Sequence, residues 1–451
     1  MGCFIVEGKR KLNGSIRVSG NKNEALPVIA ASLLCSDSIE ICNLPDIGDV
    51  RCMLNISENL GAVVSPLLNG SVSIDAGKIN SSILPIELSS KIRASILFAS
   101  SLLVRTGKAT ICQPGGDTIG RRRLDSHFLV FKALGAKLHV EYKKNLDVTQ
   151  ETIYIIDAPH GLTGADIYLD EASVTATENA IIAASGAKGK TVISNAASEP
   201  HVQGLCNFLG KLGVKIEGTG SNVLTIYGSE TFTRCKHQIG SDYIEAGSFI
   251  GLAAATGSDL LITGVDPQHL RMILFQFERI GVSVETDSAN KAVHVPDHQS
   301  LKIRKDLGGV IPRIEDSPWP GFPTDLMSIL LVTATQSEGT CLIHEKMFES
   351  RLFFTDKLIT MGAQIVLCDP HRAVIVGPSQ LYGSTISSPD IRAGMALLIA
   401  ACTAQGKSLI NNIEQIDRGY EQIDIRLNRL GASIKRINDR RGKICQSGAN
   451  L

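Results

Sequence analysis

The alternation of apolar and polar positions repeats along this chain. An apolar, alanine-rich stretch that reads as helix recurs six times, at 26–34, 94–104, 178–187, 248–256, 326–335 and 394–404. These stretches are apolar almost all round, so the helices they predict are buried on every side. Each is followed by a small turn, a β-rich run and a loop, as in TGKATICQPGGDTIG (106–120) and AQGKSLINNIEQIDR (404–418). A second helical pattern follows, as at 128–134 and 420–430. It closes on one tripeptide class: Leu60-Gly61-Ala62, Leu134-Gly135-Ala136, Leu212-Gly213-Val214, Ile280-Gly281-Val282, Met361-Gly362-Ala363 and Leu430-Gly431-Ala432. Glycine after the last helical turn is the expected left-handed cap. Strand-like alternation resumes beyond it, as at 215–217 and 364–367. The Gly-to-Gly spacings are 74, 78, 68, 81 and 69 residues.

A unit of helix, strand, loop, helix, cap and strands thus repeats six times. It predicts an α/β protein with helices clustered centrally and sheets outside. A generic doubly wound α/β enzyme fits less well, because no strand–GxGxxG–helix and no GxxxxGK[ST] opens the chain. Six units divide as three plus three, with a break near residue 241 in HQIGSDYIEAG. The stretch before Gly20 carries its own strand pattern, GSIRVSG, and the polar tail over 439–451 reads as frayed.

Composition narrows the function classes. The 451 residues hold 45 Lys+Arg and 45 Asp+Glu, so the net charge is zero. No global field draws the chain onto nucleic acid or an acidic membrane. Aromatics are 5%, with one Trp, which argues against base-stacking platforms. The eleven cysteines are scattered without a CxxC and read as buried reduced thiols. The apolar run 95–104 is too short to span a bilayer, and MGCFIVEGKRK has no apolar signal core. A cytoplasmic protein without membrane insertion is expected.

Local motifs then become recognisable. They are SGNKNEALPVIAASLL, KIRASILFASSLLV, PGGDTIGRRRLDSH, TATENAIIAA, PWPGFPTDL, FESRLFF, PDIRAGMALLIAA and IDRGYEQI, spanning residue 19 to about 436. Together with the six units they resemble the enolpyruvyl transferases, and among these the UDP-N-acetylglucosamine 1-carboxyvinyltransferases, which open bacterial peptidoglycan synthesis. The branch acting on shikimate 3-phosphate differs around the first lysine. The resemblance implies a two-domain inside-out α/β barrel of six units. Residues 22–241 would form one domain and 1–21 plus 242–451 the other, with the active site in the cleft between them. It implies two small-molecule substrates, phosphoenolpyruvate and UDP-N-acetylglucosamine, with no metal and no organic cofactor.

The chemistry fits. Phosphoenolpyruvate carries a phosphate and a carboxylate, so its site needs several fixed cations. The resemblance gives contact with it to Lys22, Asn23, Arg122, Arg392 and Arg418, and a place lining the cleft to Arg93. Any one of these arginines, taken without its motif, reads as a solvated surface residue. Asp325 in GFPTDL reads as a helix N-cap. The resemblance adds a second role, orienting and deprotonating the acceptor's 3′-hydroxyl. Asp117 stands where the family most often has Cys, on a loop that Gly115-Gly116 would hinge. The family residue is the general acid on the enolpyruvyl methylene, so a carboxyl here must be protonated at some point in the cycle. The same change implies insensitivity to fosfomycin, which alkylates the family Cys; Cys112 reads as buried. For the sugar nucleotide, the resemblance gives Asn23 to the amino sugar. It gives Arg121–His127, with Arg123, Leu124 and Asp125, to the uridine, Ser173 and Val174 to the diphosphate, and Met347 with Phe348 to the uracil side. Arg123, Thr175 and His201 replace a usual Pro, Gly and acidic residue. They leave open a different acceptor such as a uridine nucleotide, or a silent sugar-nucleotide-binding paralogue.

Overall fold

The structure is a computed structural model and describes residues 2–117, 119–144 and 150–438. The predicted polar tail and Cys445 lie outside the described residues. All six apolar stretches are helical: Lys22–Ser32, Phe98–Thr106, Val174–Ser185, Tyr243–Thr256, Met327–Ala334 and Ile391–Thr403. Four begin at a side-chain cap. Asn21, Ser173, Asp242 and Asp390 each accept a hydrogen bond from first-turn N–H groups that have no partner inside the helix. The other two are entered through 3₁₀ turns, Arg93–Leu97 and Thr324–Leu326.

The second helices are Gly48–Asn59, Asp125–Ala133, Pro200–Lys211, Arg271–Arg279, Thr355–Thr360 and Ile423–Arg429. The repeated glycine closes every one of them in the left-handed region, with φ between 87° at Gly281 and 105° at Gly431. A side chain there would meet its own carbonyl, which is why glycine recurs. The last of these helices is shorter than the pattern 420–430 predicts. Gln422 adopts φ 41°, and Tyr420 turns inward. Its hydroxyl lies 2.7 Å from Ser248 Oγ and accepts from Arg392 Nη1 at 3.2 Å.

Among the described residues, six small sheets surround the central helices. In five of them a short strand runs parallel to the β-rich run that follows a central helix, and antiparallel strands extend the sheet. In the sixth, a single bridge from Ile83 to Thr110 supplies the parallel partner. The parallel partner of Ile39–Cys42 is Lys236–Gln238, from far along the chain. Asn13–Arg17 in turn pairs with Asp259–Thr263, and Cys3–Glu7 lies between Lys407–Asn411 and Ser433–Ile437. The two crossing segments meet at a bridge between Gly20 and Ser241. Any side chain at Gly20 would collide with the Asn43 carbonyl.

The buried side chains form two clusters. One gathers residues from Ala25 to Ile239; the other joins Phe4–Val18 to residues from Tyr243 to Ile434. In the second cluster each central helix packs on the other two. Cys35, Cys206, Cys341 and Cys402 are buried, as is Cys112 beside Ser89, while Cys368 is exposed. No helix among the described residues is long and apolar enough to cross a membrane.

Ile329 is fully enclosed on a central helix, whereas Val366 is 61% exposed on an outer strand. Ile329→Ala is expected to cost about 2–5 kcal/mol in chemical denaturation, and Val366→Ala about 0.5 kcal/mol or less.

Candidate active site

A cavity of about 720 Å³ lies between the two clusters and is lined from both. Lys22 opens the first central helix. Its Nζ sits 2.7 Å from Asp49 Oδ2, and Asp49 Oδ1 accepts from Arg418 Nε at 2.9 Å. Arg418 Nη1 donates to Asp117 at 2.5 Å and to Gln415 at 2.8 Å. One chain of charges thus runs from Lys22 through Asp49 and Arg418 to the loop carboxylate, joining groups almost 400 residues apart in sequence. Burial would raise the Asp49 carboxyl, but Lys22 and Arg418 outweigh it and hold the group below its ordinary value.

Asp325 is held in the same way from the other side. Arg351 Nη2 donates to its Oδ1 at 3.1 Å, and Arg392 Nε and Nη2 approach Oδ2 at 3.1 and 3.0 Å. Burial raises this carboxyl; Arg392, Arg351 and Lys22 together pull it well below the carboxylate range. Asp325 is therefore ionised, with about a quarter of its side chain open. Asp325 does not cap the helix as the sequence suggested. It sits inside the 3₁₀ entry turn, and no side chain caps that turn.

Arg122 lines the cavity with no ion-pair partner among the described residues. Its burial lowers its pKa, and Arg351 and Arg418 add repulsion against the pull of Asp117 and Asp325. Arg93 is likewise lowered, to about 10, by burial and then by Arg122. It donates to the Arg123 carbonyl at 2.5 Å. Four cations (Lys22, Arg351, Arg392 and Arg418) thus pair with three carboxylates, Asp49, Asp117 and Asp325, while Arg93 and Arg122 add positive charge to the cavity wall without an ion pair among the described residues. A small dianion is the complement of that excess.

The loop that carries Asp117 is fastened across the cleft. Ser350 N–H donates to the Ile119 carbonyl at 3.1 Å, and Arg121 N–H to Glu349 Oε2 at 3.2 Å. Met347 N–H and Phe348 N–H both donate to Glu345, which also takes the Thr324 hydroxyl. Burial, then Asp316, pushes Glu345 up to about 9.

Elsewhere the expected residues spread out. Asn23, Arg123, Ser173, Val174 and Met347 line the cavity. Ser173 and Val174 start a twelve-residue helix whose N–H groups suit an anion. Leu124 is buried, and neither it nor Asp125 reaches the cavity wall. Asp125 turns outward to Arg123, whose Nε it accepts at 3.0 Å. Arg392 stands behind Asp325 rather than on the wall. Thr175 has a local partner: Asn179 Nδ2 donates to His127 Nδ1 at 2.8 Å, so His127 Nε2 carries the proton that faces Thr175 Oγ1 at 3.3 Å. Burial, then Arg93, keeps this histidine neutral, lowered to about 3.

Sequence reading gave no role to Asp49 or Arg351. FESRLFF was in view, but nothing in it marks Arg351 as an Asp325 partner. Asp49 follows a strand in IGDV with only its position at a helix start as a signal.

The family model for EPSP synthase (3-phosphoshikimate 1-carboxyvinyltransferase) matches residues 6–427. A UDP-N-acetylglucosamine 1-carboxyvinyltransferase of Treponema denticola is 54% identical over 432 residues, covering 96% of this chain and 98% of that protein. One from Bradyrhizobium diazoefficiens is 52% identical over 438 residues, covering 97% and 99%. Among solved structures, the enolpyruvyl transferase NikO from Streptomyces tendae superposes with a TM-score of 0.81 at 23% identity, covering 96% of this chain and 98% of that one. An EPSP synthase from Acinetobacter baumannii gives 0.73 at 17%, covering 97% and 100%. These two likenesses show the fold, that of the enolpyruvyl transferases.

A carboxyl lowered in the folded state adds stability that is complete above its unfolded pKa, about 4. That stability is lost as the pH falls through the lowered value. Asp49→Asn is expected to cost about 3–5 kcal/mol at pH 7, because two buried cations lose their shared partner. It is also expected to flatten the loss of stability below pH 4. Melting temperatures between pH 2.5 and 7 check both, and an unchanged acid slope would refute the assignment.

Proposed function

The chain belongs to the EPSP synthase family, on its UDP-N-acetylglucosamine 1-carboxyvinyltransferase branch, and from that premise we propose that it moves the enolpyruvyl group of phosphoenolpyruvate to the 3′-hydroxyl of UDP-N-acetylglucosamine and releases phosphate. In the family this is the committed entry to peptidoglycan. The observation that carries the reading is the convergence of buried cations on Asp49, Asp117 and Asp325, with Arg122 left without an ion-pair partner among the described residues.

The steps follow from these groups. Phosphoenolpyruvate enters with its phosphate and carboxylate toward Arg122, Arg418 and Lys22. Its anions draw Arg418 from Asp117, and Arg392 and Arg351 in part from Asp325. A base held far below the ordinary range accepts protons poorly. Drawing its arginines toward substrate raises Asp325 at the moment the acceptor hydroxyl faces it. Asp325 then takes the hydroxyl proton as the oxygen attacks C2 of the enolpyruvyl group, while Asp117, protonated, gives its proton to the C3 methylene. The product is a tetrahedral phosphoketal. The Asp117 carboxylate then takes a C3 proton back and Asp325 passes its proton to the departing phosphate, which restores the vinyl ether and both carboxyls, and the cation cluster stabilises the departing charge. Neither a metal nor an organic cofactor takes part. The diphosphate rests at Ser173 and Val174, and the uridine beside Arg121–Arg123 and Met347.

The two buried clusters support a division into domains 22–241 and 1–21 plus 242–451. The cleft closes through the loop at Asp117, fastened to Glu349 and Ser350. The second acceptor reading, a uridine nucleotide, loses part of its motivation because Thr175 is occupied with His127.

Phosphate release from phosphoenolpyruvate is expected with UDP-N-acetylglucosamine and not with UMP; the reverse preference would overturn the acceptor assignment. Asp117→Asn is expected to lower kcat by about 10²-fold or more while calorimetric binding of the sugar nucleotide persists. Fosfomycin is expected to leave activity intact after prolonged incubation. Time-dependent inactivation with a covalent mass increase on the peptide containing Asp117 would contradict that.

A further inference from the structure

Part of the cavity lining is made of carboxyl and imidazole side chains rather than cations. Glu178 projects from the helix Val174–Ser185, Glu199 precedes the helix Pro200–Lys211, and His201 lies in that helix's first turn. All three line the cavity. Glu178 Oε1, Glu199 Oε2 and His201 Nε2 are buried atoms without a hydrogen-bond partner among the described residues. Glu178 is 2% exposed and His201 4%. Three such atoms on one wall are costly to a fold that gains nothing from them.

The wall is held rigidly. His201 Nδ1 is 3.2 Å from the Tyr243 hydroxyl, and the two rings stack at 10° with centroids 6.2 Å apart. Tyr243 packs on Trp319, centroids 5.8 Å apart. The Trp319 backbone N–H donates to Glu199. With the tyrosine as donor, His201 Nε2 carries the ring proton toward the cavity.

Its charge state suits a neutral ligand. Burial keeps the imidazole uncharged, lowered to about 4, and burial with the neighbouring Glu199 raises Glu178 well above the carboxylate range. Glu178 therefore offers a carboxylic O–H, His201 an N–H, and Glu199 an acceptor oxygen. A phosphate or carboxylate belongs with the arginines rather than here. The Asp325 charge is felt at both His201 and Tyr243, so this wall adjoins the base.

We propose that Glu178, Glu199 and His201 are specificity-determining residues that hydrogen-bond the neutral hydroxyl and amide substituents of the acceptor sugar flanking the hydroxyl that Asp325 faces. This rests on the acceptor reading above. A site built to satisfy polar substituents rejects analogues that lack them, because its own buried groups are then left unpaired.

The test is steady-state kinetics on the full chain, with KM measured separately for UDP-N-acetylglucosamine and phosphoenolpyruvate. Glu178→Leu and His201→Phe preserve size and remove the polar atoms. Each is expected to raise the acceptor KM by about tenfold or more, with the phosphoenolpyruvate KM within about twofold, and to narrow the preference for UDP-N-acetylglucosamine over UDP-glucose. Glu178→Gln keeps a neutral donor and is expected to stay within about twofold of wild type in both constants. The melting temperature of Glu178→Leu should not fall, since an unpaired buried polar atom has been replaced by an apolar one; a purely structural role would lower it. Should the leucine variant not fold, or should both KM values rise together, or the acceptor KM stay unchanged in both variants, the proposal is overturned. A wild-type chain inactive with UDP-N-acetylglucosamine overturns instead the reading on which it rests.

Discussion

Like charges crowded in a small buried volume are the constraint around which this molecule is organised. Lys22, Arg122, Arg351 and Arg418 come from both halves of the chain and line one cavity, with Arg392 just behind Asp325. Left alone they would repel one another and resist burial. Asp49 and Asp325 make the crowding tolerable, each shared between two cations. Asp49 lies across Lys22 and Arg418. Asp325 lies across Arg351 and Arg392. The loop carboxylate of Asp117 closes the circuit at Arg418. The cluster is poised because its internal compensation is incomplete, and Arg122 shows where.

Much of the scaffold was legible in the chain. The capping glycines announced themselves because only a left-handed residue fits after the last turn, and all six adopt that conformation. The central helices were legible because burial on every side demands an unbroken apolar run. The start of the final outer helix was misread, since Tyr420 and Ile423 match a helical pattern even though Tyr420 serves a hydrogen bond to Ser248 and Arg392 instead. Periodicity cannot separate an apolar residue that continues a helix from one that plugs a neighbouring core.

The site was legible only in part, and for a different reason. Lys22, Arg418 and Asp325 stood inside distinctive motifs. Arg351 and Glu178 stood inside FESRLFF and TATENAIIAA without their roles being marked, and Asp49, Glu199 and His201 stood outside the quoted motifs, because the meaning of all five lies in partners that only the fold brings together or in the absence of one. A charged side chain is read from sequence as solvated by default. Only packing reveals that Glu178 has been taken out of water. Departures from a family pattern behave likewise: Thr175 looked like a change at the ligand, and the structure gives it His127 as a neighbour.

The crossing at Gly20 and Ser241 bears on how the chain is made. Every residue of the first cluster lies between Ala25 and Ile239, so that core has all its parts once Ile239 has left the ribosome. The second cluster needs Phe4 and Ile16, which are among the first residues synthesised, together with Ile434, which is among the last. Its two amino-terminal strands, Cys3–Glu7 and Asn13–Arg17, must therefore wait unpaired while more than 200 residues fold beside them. Vectorial synthesis thus sets the order of assembly, and the half that completes last is the one that brings Asp325, Arg351, Arg392 and Arg418 to the lysine already in place.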